Sequence, residues 1–238
     1  MLKKLFSLLL CLALLCTLVA CKDPEAPTPD VPSDPGSGFE DPAPELMASG
    51  SINGCTLTWE LYDDGVLYIK GTGEMAEFQT TTGAKGKQPW ESYAGNDERV
   101  TIKKLVVEDG VTSLAEGAFA KCINLETAEI TSGVTALPYQ CFDRCVLLRT
   151  VRAKGVSDVQ GDAFWGCAKL TTVTLSASLL VVEDGAFAEA STQSNGFSVR
   201  LAGTEQEWIA AKADESFYVG EGNGVFEAAL DRIVYVSK

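Results

Sequence analysis

Phe119, Phe142, Phe164 and Phe187 stand 23, 22 and 23 residues apart. A recurrence of this length means that each unit is a small element unable to bury its apolar face alone, so neighbouring units must stack. Other positions keep the same period. Three residues after the phenylalanines come Cys122, Cys145, Cys167 and Ala190, and three further on come Leu125, Leu148 and Leu170. The leucines open a second recurring string: Leu125-Ala128-Ile130, Leu148-Val151-Ala153 and Leu170-Val173-Leu175.

A short period with a Leu-x-x-Leu-x-Leu core is the signature of a leucine-rich repeat. One coil can be written from Lys104. Alternation in "KLVVE" turns Leu105 and Val107 inward and Lys104, Val106 and Glu108 outward. Asp109-Gly110 is a turn in which glycine supplies a positive φ. Val111 and Leu114 return to the core, and "GAFAKC" crosses the back as a helical or 3₁₀ turn that buries Ala118, Phe119 and Cys122. Coils stacked at about 4.8 Å form a parallel sheet on one side. The expected fold is therefore an α/β repeat solenoid with short parallel strands. About four repeats of 22–23 residues occupy 101–192, between an N-terminal β cap over 47–100 and a C-terminal cap over 193–238.

The caps have their own signals. Leu57, Trp59 and Leu61 alternate, Asp63-Asp64-Gly65 turns the chain, and Leu67 and Ile69 return on the same face, which predicts a hairpin. A polar loop follows, and its Pro89-Trp90 places Trp90 as a plug on the first coil. At the other end "FSVRLAGTEQEWIAAKAD" reads as a strand, a turn and a short helix from near Thr204. Trp208 is expected to seal the last coil, and "RIVYVS" to add a final strand.

The cysteines at one repeat position are read as a buried column, since free cysteine behaves in a core as a small hydrophobe. Ala190 at the same position of the last unit fits packing rather than chemistry. Neighbouring positions of the column could also come within disulfide range if their Cβ vectors agreed, but side chains of a repeat column point in parallel and not at each other, which favours free thiols. The chain has no histidine, which removes Ser-His-Asp and Cys-His chemistry and the commonest metal ligand. "GAKGKQ" lacks the spacing of a phosphate loop, and "GEGNG" lacks a strand-to-helix setting. Glu108-Asp109 and Glu183-Asp184 sit at repeat turns, with no D-x-D-x-D-G spacing for calcium. No enzyme activity and no cofactor or metal are expected.

The first residues read as a targeting segment. Lys3 and Lys4 precede an apolar run from Leu5 to Ala20, the pattern of a secretory signal over 1–20. "LVAC" (Leu18 to Cys21) resembles a bacterial lipobox, which implies cleavage before Cys21 and lipid on its thiol; an uncleaved anchor or an ordinary signal is the alternative. Residues 22–45 hold seven of the nine prolines, seven acids and one lysine. Such a stretch cannot bury a core, so 21–46 is read as a disordered tether on the lipidated cysteine. The whole chain carries −14. Removing two lysines gives −14 − 2 = −16, and the tether's −6 leaves −16 + 6 = −10 on the folded part. That balance argues against nucleic acid or anionic lipid headgroups as partners.

"EDGVTSLAEGAFAKC" and "GVSDVQGDAFWGC", with "LTWELYDDGVLYIKGTGEM" and "PW" before them and "LAGTEQEW" and "IVYVS" after, resemble the BspA-like leucine-rich repeat family of bacterial surface proteins. The chain departs from the pattern where Cys141 replaces the alanine before Phe142, and where the third unit is one residue short. The resemblance implies a secreted or surface-attached module, with adhesion to host matrix proteins among the family's roles. The expected function is a non-enzymatic, lipid-anchored envelope protein, surface-exposed on the outer membrane, that binds a host or envelope protein or a glycan. The alternative is an accessory lipoprotein that scaffolds other membrane proteins.

If a macromolecule binds, the outward sheet face is the expected site. Its rows are Lys104-Thr127-Thr150-Thr172, Val106-Glu129-Arg152-Thr174 and Glu108-Thr131-Lys154-Ser176. Thr127, Glu129, Thr131, Thr150, Arg152 and Lys154 are the candidate contacts, on a surface expected to lack large aromatics. A second patch is the cap loop, where Lys85, Lys87, Trp90 and Tyr93 combine basic and aromatic groups. Stability is expected to rest on the phenylalanines, with Phe142 weighing more than Phe187 because the latter lies nearer the end of the stack.

Overall fold

The structure, a computed structural model, describes residues 42–78, 87–91, 102–191 and 196–238. The expected leader over 1–20, Cys21 and the tether as far as Asp41 lie outside these residues, as do Lys85 and Tyr93. From Ala43 to Lys238 the chain forms one compact unit.

The hairpin forms where alternation places it. Strands β2 (Thr58–Tyr62) and β3 (Val66–Lys70) pair antiparallel, with Trp59 opposite Ile69 and Leu61 opposite Leu67. Gly65 between them has φ +84°. An additional strand, β1 (Leu46–Ser51), pairs antiparallel with β2. Its sequence LMASGS has little alternation to read, because at a sheet edge only Ala48 is buried.

After the two-residue β4 (Gly73–Glu74) and a 3₁₀ turn at Pro89–Glu91, the repeats begin. Each coil gives a front strand: β5 (Lys104–Val107), β7 (Thr127–Ile130), β9 (Thr150–Ala153), β11 (Thr172–Ser176) and β13 (Ser198–Ala202). Short strands after the turns are β6 (Val111–Ser113), β8 (Ala136–Leu137), β10 (Asp158–Val159) and β12 (Val181–Val182). The C-terminal region adds helix α1 (Glu205–Lys212), β14 (Tyr218–Val219), helix α2 (Gly224–Leu230) and β15 (Val234–Val236). The front sheet runs β1-β2-β3-β5-β7-β9-β11-β13-β15. It is parallel from β3 onward, so both caps continue the repeat sheet rather than closing it from outside. A second parallel sheet, β8-β10-β12-β14, lines another side, and β4 pairs with β6.

The interior is a ladder of rings. Trp90, Phe119, Phe142, Phe164, Phe187 and Phe226 stack with centroid separations of 5.4, 5.6, 5.5, 4.9 and 4.8 Å, and none has more than 1% of its surface exposed. Offset stacking at such distances adds about 0.5–1.5 kcal/mol per pair to plain burial. Trp90 therefore plugs the first coil, with Trp59 and Phe78 edge-on against it.

The back crossing is a chain of turns and not a helix. Ala118, Ala120 and Cys122 donate to the carbonyls three residues earlier. Left-handed residues two positions before and after each phenylalanine stop any helix from propagating: Gly117 and Lys121, Gln140 and Arg144, Asp162 and Gly166, Gly185 and Glu189. Their effect is to aim N–H groups along the stack. Gly117, Phe119 and Lys121 donate to Tyr139, Cys141 and Asp143 of the next coil at 2.9, 3.0 and 2.7 Å. Each non-glycine residue in this conformation costs about 1–2 kcal/mol, a strain offset by the intercoil ladder. At the front turn Gly110 has φ +104°, and a Cβ there would lie 2.6 Å from the Gly71 carbonyl.

Cys122, Cys145 and Cys167 form the expected buried column, and none of the five described cysteines is in a disulfide. The column also has a polar task. The Cys145 thiol donates to the Phe119 carbonyl and the Cys167 thiol to the Phe142 carbonyl, each at 3.1 Å. Burial drives the Cys141, Cys145 and Cys167 thiols well above the usual range, which suppresses thiolate.

The C-terminal cap departs from expectation in two respects. Helix α1 does begin after Thr204, which accepts from the Glu207 N–H while Glu207 accepts from the Thr204 N–H, a reciprocal capping box. Its Trp208 is buried, but its ring meets Phe217 edge-on at 5.5 Å. The ring that covers the last coil is Phe226 of α2. "GEGNG" also follows a short strand and enters a helix, contrary to the sequence reading, and its work is internal. Asn223, 1% exposed, donates to the carbonyls of Glu183 and Gly220 and accepts from the Phe187 N–H at 2.9 Å. In earlier coils that N–H bonds to a carbonyl of the next coil. Where the repeats stop, the Asn223 amide takes its place, as a buried N–H requires a partner.

Candidate functional site

Strand register aligns the outward residues as alternation requires. One row is Lys104-Thr127-Thr150-Thr172-Ser198 and the next is Tyr68-Val106-Glu129-Arg152-Thr174-Arg200. All are partly or well exposed except Thr174, which is only 4% exposed. It stands in register between the long side chains of Arg152 and Arg200, so as a surface contact it is a correction to the sequence reading.

Glu129 organises the middle of the face. Its carboxylate lies 3.2 Å from the Lys104 ammonium and 3.3 Å from the Arg152 guanidinium, with all three side chains roughly half exposed. Pairs this open add little to stability, about 0–1 kcal/mol; what they do is fix charges in place on a flat surface. Below them an open depression of about 550 Å³ is lined by Glu108, Asp109, Glu129, Thr131, Arg152 and Lys154, among others. The Thr131 hydroxyl donates to Asp109 at 2.6 Å. The candidates Glu129, Thr131, Arg152 and Lys154 thus share one depression, whereas Thr127 and Thr150 stand one row away on the same face.

The face is not free of aromatics. On the cap hairpin Tyr62 and Tyr68 meet edge-on at 5.6 Å, and the Lys70 ammonium lies 5.1 Å from the Tyr68 ring centre. Glu60 accepts from Lys70 at 2.8 Å and from the Tyr62 hydroxyl at 2.9 Å. The Lys70 bond, with the Tyr62 bond second, lowers the Glu60 carboxyl below its ordinary range; the bond to Glu60 in turn raises Tyr62. Because β3 joins β5 directly, these tyrosines continue the repeat rows. The signal was present in "ELYDDGVLYIK", whose outward positions are Glu60, Tyr62, Val66, Tyr68 and Lys70. Reading the hairpin as a separate cap concealed it.

Trp90 corrects in the other direction. It is 0% exposed and stacked on Phe119, so its indole is a core group and not a ligand anchor. Lys87 is exposed and lies 3.6 Å from Glu91. Among the described residues there is no cluster of three or more side chains able to hold a metal, and no helix long and apolar enough to cross a membrane.

No curated protein matches this chain. Among solved structures it is similar to a leucine-rich repeat protein from Eubacterium ventriosum, at 20% identity and TM-score 0.46, covering 67% of this chain and 45% of that one. It is similar also to a leucine-rich cell surface protein from Faecalibacterium prausnitzii, at 21% identity and TM-score 0.42, covering 71% and 43%. The T. pallidum leucine-rich repeat protein is 16% identical with TM-score 0.34, covering 72% and 98%. The chain spans less than half the length of the first two. Residues 97–201 match the BspA type leucine-rich repeat region in six copies. The coils of this region, built on their Phe, Cys and Leu columns, match BspA-type leucine-rich repeats.

Proposed function

We propose that this protein is a non-enzymatic cell-surface binding module, adhesin-like, held to the bacterial outer membrane by lipid on Cys21 and engaging a protein or glycan through its front sheet. The observation that carries this reading is the face itself. Nine strands of the described residues form one continuous surface, on which charged, hydroxyl and tyrosine side chains are fixed above an apolar interior. Such a surface offers many shallow contacts and no enclosed cleft, which suits an extended partner better than a small substrate.

The test screens the purified protein against matrix proteins and glycans, then compares Glu129→Ala/Arg152→Ala with Lys87→Ala after confirming that each folds. Loss of binding in the sheet-face variant is expected. Retained affinity there, with loss in Lys87→Ala, would move the site to the cap loop.

A further inference from the structure

Charge on the front face is divided. Acids belong to the first half, with Glu60 on β2, Glu129 on β7, and Glu108 and Asp109 just after β5. Strands β9, β11 and β13 contain no acidic residue. Their outward positions are arginine or hydroxyl residues: Thr150 and Arg152, Thr172, Thr174 and Ser176, Ser198 and Arg200. Arg149 precedes β9 and Lys154 follows it. Arg149, Lys154 and Arg200 form no ion pair among the described residues; Arg152 shares Glu129 with Lys104. Unpaired cations gathered on one surface of a strongly acidic chain make a local positive potential that opposes the overall charge.

The geometry favours an extended ligand. Arg149 to Lys154 spans about 17 Å along β9 at the usual rise per strand residue, and Arg200 lies two strands from Arg152, about 9.6 Å away. Each end of this stripe opens into a depression. One, of about 350 Å³, is lined by Arg149, Lys169, Thr171 and Ser191. The other, of about 460 Å³, is lined by Ser132, Lys154, Ser176 and Lys238. Ser176 accepts from the Ser178 N–H at 3.0 Å, so its own hydroxyl hydrogen remains free to donate. Lys238 is paired with Glu207.

We propose that the β9–β13 half of the face binds an anionic polysaccharide, one that carries carboxylate or sulfate groups along its chain. Arg149, Arg152, Lys154 and Arg200 contact the anions; Thr150, Thr172 and Ser198 hydrogen-bond sugar hydroxyls. Arginine suits planar or branched oxyanions because its fork makes paired hydrogen bonds. A protein partner would need a desolvated aromatic or apolar centre, and these three strands present no outward aromatic or large aliphatic side chain. This inference rests on the sheet-face reading above and assigns that reading a ligand class.

The test measures binding of the detergent-solubilised full chain to chondroitin sulfate and polygalacturonate, with dextran and poly-glutamate as controls, at low and raised salt. Binding to at least one anionic polysaccharide is expected, weakening as salt screens the charges. Arg152→Ala/Arg200→Ala, shown to fold by circular dichroism, is expected to lose at least about tenfold in affinity, since charge-assisted bonds contribute that much each. Lys121→Gln/Arg144→Gln, which removes the same charge from the exposed back crossing, is expected to bind unchanged. Failure of both polysaccharides to bind, equal binding of dextran or poly-glutamate, or full affinity in the arginine variant would each overturn the proposal. If these arms fail while a partner from the screen still depends on Glu129 or Tyr68, the sheet-face reading survives alone. If no partner depends on either half, both fall.

Discussion

Replacing Phe142 by alanine removes one rung from the middle of the ring ladder. The side chain is fully buried, with Phe119 stacked at 5.6 Å on one side and Phe164 at 5.5 Å on the other. An aromatic side chain buries about 150–250 Å², and at ~25 cal/mol per Å² this amounts to about 4–6 kcal/mol before the retained methyl is subtracted. Core Phe→Ala losses of about 3–5 kcal/mol match that figure. Sequence position suggested a smaller loss at Phe187, nearer the end of the repeats. The structure removes the reason: Phe187 has Phe164 at 4.9 Å, Phe226 at 4.8 Å and Phe197 tilted at 5.9 Å. Phe142→Ala and Phe187→Ala should therefore agree within about 1 kcal/mol, whereas Phe226→Ala, with one stacked neighbour, should lose less. Urea unfolding followed by circular dichroism measures each shift in midpoint at constant slope. A loss below about 1.5 kcal/mol at Phe142, or a loss at Phe187 under half of that at Phe142, would refute the continuous ladder.

Asn223→Ala strands the Phe187 N–H and two carbonyls, so a loss of about 2–4 kcal/mol is expected in the same unfolding assay; Asn223→Asp should not restore it, because the side chain's donor is gone. The buried thiols give a pH dependence of defined sign. Desolvation raises them in the folded state, so once pH passes the ordinary thiol value the unfolded chain loses protons that the folded chain keeps, and stability must fall. Unfolding midpoints measured across the alkaline range should drop, and Cys141→Ala/Cys145→Ala/Cys167→Ala should flatten that decline; an unchanged slope in the triple variant would contradict it. Cys21→Ala should release the protein from the membrane fraction or leave its precursor uncleaved, read by fractionation and mass; normal processing and retention would sink lipid attachment at Cys21.

Much of this molecule was legible in the sequence, for a physical reason. A repeat with one residue type at one phase leaves a single way to bury its apolar positions, so Phe119 and its equivalents, the cysteine column and the rows through Glu129 and Arg152 follow from spacing and alternation alone. Local chemistry was equally readable in the Gly65 hairpin turn and at the Thr204 start of α1. What sequence did not supply is what happens where the repetition ends. Whether Trp208 or Phe226 covers the last ring depends on how 36 residues after the last coil's front strand fold back, and no periodic signal reports that distance. The Asn223 amide is significant only because it reaches an N–H that lacks a next coil. Trp90 carries the same residue type whether it faces solvent or Phe119, and only packing places it inside. Tyr62 and Tyr68 join the front face because β3 pairs in parallel with β5 across a long connection, a pairing set by the continuous core beneath both strands and written in neither strand alone.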